Sequence, residues 1–274
     1  MTRSWLTGPT HRDLTYAIVD GQELCLDLYL PFWSRQCPLL VYFHGGGWSS
    51  GSYKERGVSW LTGHGFAVAS VQYRLSGEAQ FPAQVHDIKA AIRWLRAQAS
   101  EFGFDAERVG AVGVSAGGHL AMLAGLVGAE LEGEVGDHGA ESSQVDVVVN
   151  YFGASDFILR SQTQPGATEP KGSVVHKLLG SSVAEDEALA KAASPVFHVG
   201  EDSPPLFVIH GAKDPQVKVD QAYRMSEKYR EIGCQVEVEI LAEGGHGGPE
   251  FFSKDLSTRV SEFLKNILME KPSN

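Results

Sequence analysis

The chain contains 274 residues, of which 43% are hydrophobic, and its 34 acidic against 23 basic residues give a formal net charge of −11. This length and composition predict a single domain, residues 1–274, that buries one large core. The shortage of Lys and Arg argues against nucleic acid or an anionic membrane as the main partner, because both are bound through clusters of basic side chains.

Predicted strands and helices alternate along most of the chain. Strands are expected at residues 24–30, 38–43, 66–71, 109–114, 145–151, 206–210 and 236–241. Helices are expected at residues 82–100, 116–126 and 250–269. The first helix places its apolar residues on one face and Lys89, Arg93 and Arg96 on the opposite, polar face. This alternation predicts an α/β fold, with a mostly parallel central sheet and helices on both faces.

A run of three glycines follows the predicted strand at 38–43, within the sequence HGGGW of residues 44–48. Because glycine has no Cβ, the backbone N–H groups of this loop can approach a ligand closely. An enzyme that transfers acyl groups needs such donors where a carbonyl oxygen becomes an oxyanion. A plain flexible loop is the alternative interpretation, and a serine motif further along the chain makes it the weaker one.

That serine motif is the sequence GVSAG of residues 113–117, at the junction of a predicted strand and a predicted helix. Short strings of Gly and Ser also occur by chance in loops, so the strand before and the helix after carry the interpretation. Glycines two positions either side of Ser115 allow a sharp turn that holds the hydroxyl out above the sheet. Ser115 is therefore the candidate nucleophile.

Residues 153–205 interrupt the alternation of strands and helices. This segment is rich in Gly, Pro, Ser and Thr around 161–172, and it contains two short helix-like stretches at 174–179 and 185–193. An insertion at the carboxyl ends of the strands would have this composition, and sites in open α/β sheets lie at that edge. We therefore expect the segment to form a short lid or a wall of the pocket.

A nucleophilic serine needs a base, and histidine has the right basicity. Of the ten histidines, His246 stands in a glycine-rich loop directly after the last predicted strand. The other histidines lie on or before predicted elements or at solvated positions. His119, one helical turn after Ser115, is expected to pack or to bond to the backbone. His246 is therefore the candidate base.

The base needs a carboxylate that orients it, and Asp214 follows the predicted strand at 206–210. Asp156 competes for this role, but it follows an earlier strand and a helix N-cap explains it. In this architecture the order along the chain is serine, acid, histidine, which favours Asp214. Asp87 is interpreted as a helix-surface charge and Glu243 as a loop charge.

These motifs resemble the α/β-hydrolase superfamily and, more narrowly, the hormone-sensitive-lipase-like and feruloyl-esterase-like (BD-FAE) esterases. The sequences HGGGW at 44–48 and GVSAGGHLA at 113–121 carry the resemblance, and YRL at 73–75 and FPAQ at 81–84 also fit. Only a short stretch precedes the first predicted strand, whereas hormone-sensitive-lipase-like enzymes usually have a sizeable N-terminal cap. This departure favours the feruloyl-esterase-like branch.

The resemblance implies a catalytic triad of Ser115 as nucleophile, His246 as general base and then acid, and Asp214 as orienting carboxylate. It implies a cofactor-free and metal-free serine carboxylesterase that hydrolyses small or short-acyl esters through an acyl-serine intermediate. Feruloyl or carbohydrate-acetyl esterase and aryl formamidase remain alternatives, because the same motifs serve them all. A binding protein on a hydrolase fold is a further alternative.

The resemblance also implies an oxyanion hole formed by the backbone N–H groups of Gly46, Gly47 and Ala116. His44 and Trp48, which flank the three glycines, are the expected substrate-binding side chains.

The expected partner is a small-molecule ester, and a homodimer is compatible with the sequence. The first twenty residues contain no apolar signal-peptide core and no apolar stretch reaches 18 residues, so the sequence predicts a cytoplasmic protein. Cys25, Cys37 and Cys234 show no CxxC pair and are expected to be buried or incidental thiols.

Overall fold

The structure is a computed structural model that describes residues 8–33, 36–128, 131 and 133–269. Part of the N-terminal stretch in which the sequence shows no signal peptide, residues 1–7, lies outside this description. The strands are β1 (His11–Val19), β2 (Gln22–Tyr29), β3 (Cys37–Phe43), β4 (Ala67–Val71), β5 (Phe104–Val114), β6 (Val147–Tyr151), β7 (Leu206–Gly211) and β8 (Val236–Leu241). The α-helices are α1 (Ala83–Phe102), α2 (Ala116–Leu126), α3 (Phe157–Thr163), α4 (Val174–Leu179), α5 (Glu187–Ala192), α6 (Asp220–Ile232) and α7 (Lys254–Leu268).

The strands form one eight-stranded sheet in the order β1-β2-β4-β3-β5-β6-β7-β8. Strands β3 to β8 run parallel to one another, whereas β2, next to the edge strand β1, is antiparallel to both β1 and β4. Every residue of β3, β4 and β6 is buried, as expected for strands covered by helices on both faces. The predicted α/β fold with a mostly parallel sheet is therefore confirmed.

The two faces of the sheet carry two apolar clusters. Leu39 and Val41 of β3 point into the larger cluster, which includes residues of α1, α2 and α6. Leu40 and Tyr42 point into the smaller one, which α7 covers. Because successive residues of β3 point to opposite faces of the sheet, this central strand packs against the helices on both sides.

The sequence-based description of helix α1 is wrong about its polar face. Lys89 and Arg93 are only 1% and 2% exposed. Their cover is a loop between α2 and β6, where Lys89 Nζ donates to Ser143 Oγ (3.1 Å) and Arg93 Nη2 donates to the carbonyl oxygen of Val135 (2.9 Å). Hydrophobic periodicity identifies the apolar face of a helix but does not reveal a loop that covers the other face.

Asp87, interpreted from the sequence as a surface charge, is completely buried. Its carboxylate accepts hydrogen bonds from Arg74, with Nη2 at 2.7 Å and Nε at 2.9 Å from its two oxygens. This ion pair joins α1 to the segment that follows β4. Asp87 is therefore a structural residue, and the hydrogen bonds from the Arg74 guanidinium offset the cost of burying its carboxylate.

Strand β1 and helix α6 are absent from the sequence-based description. No helix among the described residues is long and apolar enough to cross a membrane. Cys25, Cys37 and Cys234 form no disulfide, and only Cys37 is fully buried.

Candidate active site

Ser115 occupies a sharp turn between β5 and α2. Its backbone has φ of 53° and ψ of −118°, a left-handed conformation that costs a non-glycine residue about 1–3 kcal/mol. The Ser115 N–H donates to the carbonyl oxygen of Tyr151 on β6 (2.8 Å), which anchors the turn. Gly117 permits the turn, because a Cβ there would lie 1.9 Å from the carbonyl oxygen of Phe43. The strand-to-helix junction thus holds Ser115 at the carboxyl edge of the sheet.

Ser115, His246 and Asp214 form one chain of hydrogen bonds. Ser115 Oγ lies 2.7 Å from His246 Nε2, and His246 Nδ1 lies 2.6 Å from Asp214 Oδ2. An ionised carboxylate only accepts hydrogen bonds, so Nδ1 carries the ring proton and Nε2 accepts from the serine hydroxyl. Loops that follow β5, β7 and β8 therefore bring together the three side chains that a base-activated serine requires.

The Asp214 carboxylate is enclosed and well supplied with donors. Its side chain is 0% exposed, and Oδ1 accepts from the backbone N–H groups of Gln216 (2.8 Å) and Val217 (2.9 Å). Burial alone would raise the pKa of Asp214, but contacts with His210 and His246 and the Val217 N–H hold this pKa well below its ordinary value. Asp214 is therefore ionised at neutral pH and fixes the tautomer of His246.

The His246 ring is also held by packing. Phe152 contacts it edge to face, with ring centroids 4.9 Å apart, and packs on its other side against Phe251 at 4.8 Å. Phe152 is the first residue after β6 and has φ of 43°. Sequence reasoning missed this residue. The available signal is its position at the carboxyl edge, directly after a fully apolar strand.

Three backbone N–H groups near Ser115 are free to bind a ligand. Those of Gly46, Gly47 and Ala116 have no hydrogen-bond acceptor among the described residues. Gly46 has φ of 117°, and a Cβ there would lie 2.2 Å from the carbonyl oxygen of Ser50, so the loop requires glycine at this position. Gly47 and Ala116 line a cavity together with Ser115. Donors of this kind suit an oxyanion that forms beside the serine.

His44 and Trp48 differ in their relation to the cavities. Trp48 is 2% exposed, lines the smaller cavity and donates from Nε1 to His119 Nδ1 (3.2 Å). His44 is also 2% exposed, but it stacks on Tyr73 at 4.4 Å and its Nδ1 lies 2.7 Å from the carbonyl oxygen of Gly45. His44 lines neither cavity at Ser115. The structure therefore places His44 behind the loop, and a contact of His44 with substrate stays a prediction.

His119 and Asp156, which compete with the triad residues in the sequence, have structural roles. His119 Nε2 lies 2.7 Å from the carbonyl oxygen of Ala193, and burial lowers the pKa of His119 to about 4, so the ring is neutral at pH 7. Asp156 caps α3 by accepting from the Leu159 N–H (2.9 Å) and pairs with Arg224. Both match the roles that the sequence analysis assigns them.

Two cavities meet at Ser115 and His246. The outer cavity has a volume of about 570 Å³, opens to solvent and is lined by Glu55 and serines of the glycine loop. The inner cavity has a volume of about 70 Å³. Its other lining residues include Trp48, Ala116, Ala154, Arg160, Val174 and Val217. The Ser115 hydroxyl thus lies between the small inner cavity and the large outer one.

The segment 153–205 forms part of these walls. Ala154, Arg160 and Val174 line the inner cavity, and Val174 also lines the outer one. The segment is therefore a pocket wall, whereas its movement as a lid stays a prediction. Sequence reasoning missed Arg160 and Gln216. A signal for Gln216 is its place two residues after Asp214. For Arg160 the only signal is a basic residue in a short helix after a buried strand.

No group of three or more His, Cys, Asp or Glu that could hold a metal ion occurs among the described residues.

Comparison with known proteins places this site in a family. A family model described as BD-FAE matches residues 26–229. Esterase LipC of Mycobacterium tuberculosis is 31% identical over 218 residues, which are 78% of this chain and 54% of that protein. Esterase LipQ of the same organism is 30% identical over 256 residues, which are 90% of this chain and 59% of that protein. The chain thus spans little more than half the length of either relative.

Among solved structures, a truncated form of a carbohydrate esterase from gut microbiota superposes with a TM-score of 0.85 at 26% identity. The superposition covers 96% of this chain and 100% of that one. The whole described fold is therefore shared with a protein of similar length.

Proposed function

This chain belongs to the BD-FAE family of α/β-hydrolases, and from that premise we propose that it is a serine carboxylesterase acting on short-acyl esters. The observation that carries the proposal is the continuous chain of hydrogen bonds from Ser115 through His246 to Asp214, at 2.7 Å and 2.6 Å. The two esterase relatives support it, since each is about 30% identical over most of this chain.

In the proposed reaction, His246 takes the proton of Ser115 as Oγ attacks the ester carbonyl carbon. The carbonyl oxygen becomes an oxyanion, which the free N–H groups of the glycine loop and Ala116 bind. His246 then donates its proton to the leaving alcohol, and an acyl-serine remains. Water, activated by the same ring, releases the acid and restores Ser115.

We assign the acyl group to the inner cavity and the alcohol to the outer one. The inner cavity is the smaller and more enclosed of the two, at about 70 Å³. The outer cavity is open and eight times larger, at about 570 Å³, so a bulky alcohol can enter and leave. This arrangement favours short acyl chains.

A second candidate is a short-acyl esterase whose alcohol is a sugar. The outer cavity favours it, because Glu55, Ser49 and Ser50 there offer polar atoms to a polyhydroxylated alcohol. The carbohydrate esterase of similar fold supports the same reading. Feruloyl ester hydrolysis fits less well, because a feruloyl group exceeds the inner cavity.

The test compares wild type with Ser115→Ala on 4-nitrophenyl acetate. We expect the variant to lose activity by about 10⁶-fold in kcat, while its thermal unfolding stays that of a folded protein. Retained turnover by folded Ser115→Ala would refute the assignment. For the alcohol, kcat/KM on acetylated sugars, methyl ferulate and N-formylkynurenine, measured side by side, ranks the candidates; sugar preference fails if acetylated sugars are no better than ethyl acetate.

A further inference from the structure

Arg160 places a buried cation in the inner cavity. It belongs to α3, is 3% exposed and lines the cavity together with Ser115 and His246. The mechanism above gives it no task. Burial lowers the pKa of Arg160 to about 10, against the attraction of Asp214 and Asp220, so the guanidinium is charged at neutral pH.

One buried donor of this guanidinium lacks an acceptor among the described residues. Its Nη2 donates to the carbonyl oxygen of Gln216 (2.9 Å). Its Nε is buried and has no hydrogen-bond partner among the described residues. A buried donor left without an acceptor is costly, more so when it is charged. A structure that keeps such a group beside the reactive serine leaves room for an acceptor supplied by a ligand.

The neighbouring carboxylate does not fill this role. Asp214 already accepts from His246 and from the backbone N–H groups of Gln216 and Val217. No described carboxylate forms a salt bridge with Arg160, whereas Arg224 of α6 is paired with Asp156, the N-cap residue of α3, at 3.2 Å. The planar fork of an arginine matches a carboxylate group in particular.

We propose that the inner cavity binds a carboxylate carried by the acyl group, so that the preferred substrates are half-esters of short dicarboxylic acids. The proposal rests on the proposed esterase function. In the reaction, Ser115 Oγ bonds to the ester carbonyl carbon, the alcohol leaves with the proton from His246, and water then releases the free diacid. Arg160 holds the second carboxylate throughout and takes no part in proton transfer.

The size and charge of the two cavities set the orientation of such a substrate. The inner cavity is small, at about 70 Å³, so a short acyl chain that ends in a carboxylate suits it better than a long one. Glu55 lines the outer cavity, so an anionic group is repelled there and attracted at Arg160. The net charge of −11 opposes anionic ligands only weakly, because salt at physiological strength screens exposed charges that lie more than about 8 Å away.

The first test uses the wild-type protein and two substrates of nearly equal shape. Monoethyl malonate carries a carboxylate where ethyl 3-methylbutanoate carries an isopropyl group, and released ethanol reports both reactions. We expect kcat/KM to be at least about tenfold higher for monoethyl malonate. Equal values, or a preference for the neutral ester, would overturn the inference and leave the esterase function intact. If neither these esters nor 4-nitrophenyl acetate is hydrolysed, both proposals fail.

The second test assigns the preference to Arg160. In Arg160→Gln the ratio of the two kcat/KM values should fall to about one, and Arg160→Lys should restore part of it. A fall of both values by the same factor, with the ratio kept, would mean that Arg160 only positions the Asp214 loop. Arg224→Gln is the matched control, since it removes an arginine of α6 that pairs with the N-cap of α3 but lines neither cavity, and its ratio should equal that of wild type.

A third test does not depend on any variant folding. Malonate should inhibit hydrolysis of 4-nitrophenyl acetate competitively, at least tenfold more strongly than neutral malonamide of similar size. Equal inhibition by the two compounds would contradict a cationic subsite.

Discussion

The loops that carry the triad and the segment 153–205 both line the space around Ser115, yet their sequences constrain them differently. In the loops around Ser115, backbone geometry dictates residue type: a Cβ at Gly117 would lie 1.9 Å from the carbonyl oxygen of Phe43, and one at Gly46, in the glycine loop after β3, would lie 2.2 Å from that of Ser50. In the segment, Ala154, Arg160 and Val174 line the inner cavity with their side chains. Under the proposed function we therefore expect bond-making groups and selectivity to reside in separate parts of the chain.

Substitutions in the two regions should therefore have different effects on activity. Changes in the triad loops should affect all substrates together, because every ester uses the same nucleophile and oxyanion donors. Changes in the segment should alter the ratio between substrates and leave the common machinery in place. Four experiments test this division, in order of decreasing effect.

The largest effect is expected from Asp214→Asn. An amide in this place offers an N–H to His246 Nδ1 and so favours the wrong tautomer, which lowers kcat by about 10⁴-fold on every ester. Asp156→Asn is the matched control, because asparagine also caps a helix well. Steady-state kinetics on acetate and butyrate esters measure both. Comparable losses in the two variants would remove the distinction between Asp214 and its competitor.

A large loss of stability is expected from Gly117→Ala. The added Cβ would lie 1.9 Å from the carbonyl oxygen of Phe43, so the turn must move and unfolding should become easier by about 2–4 kcal/mol. Urea denaturation measures this change. Gly139→Ala serves as control, since nothing lies within 4 Å of a Cβ there, and it should be neutral. A neutral Gly117→Ala would mean that the elbow tolerates a side chain.

An intermediate effect concerns pH, through His119. Its pKa of about 4 in the folded protein lies below the ordinary value of about 6.5, so the unfolded chain binds the proton more readily. This contribution to stability is complete above pH 6.5 and is lost as pH falls toward 4, by up to about 3 kcal/mol. In His119→Gln, the difference in unfolding free energy between pH 5 and pH 7.5 should be smaller than in wild type. An unchanged difference would assign the pH dependence to other groups.

The smallest effect is expected from Val174→Ala, which widens the inner cavity. The ratio of kcat/KM for a butyrate ester to that for an acetate ester should rise about tenfold, with the acetate value changed little. Lys177→Ala, on the exposed side of α4, should leave the ratio as it is. A uniform loss in Val174→Ala, with no change in ratio, would place selectivity outside the segment.

The same contrast explains what the sequence could predict. Ser115 and His246 stand in motifs whose glycines are required by backbone geometry, so a few residues of local sequence locate both. The order of elements adds Asp214. The parallel sheet follows from apolar strands such as β3, which are buried along their whole length.

Features that depend on packing between distant parts of the chain were less predictable from the sequence. The polar face of α1 is buried because a distant loop lies on it, and no local pattern reports that loop. In the sequence, Arg160 is an ordinary basic residue. Only the packing of the folded chain places it beside Ser115. Helix α6 is different, because its buried residues Gln221, Ala222, Met225 and Tyr229 recur at helical spacing. That periodicity was available in the sequence.

The proposed function depends most on Ser115 being the nucleophile. The most direct measurement is peptide mass spectrometry after treatment with a fluorophosphonate, with residual hydrolysis of 4-nitrophenyl acetate followed in parallel. We predict one adduct per chain, on the peptide that contains Ser115, and loss of activity in proportion to labelling. Labelling of another residue, or full activity in protein whose Ser115 is modified, would contradict the account.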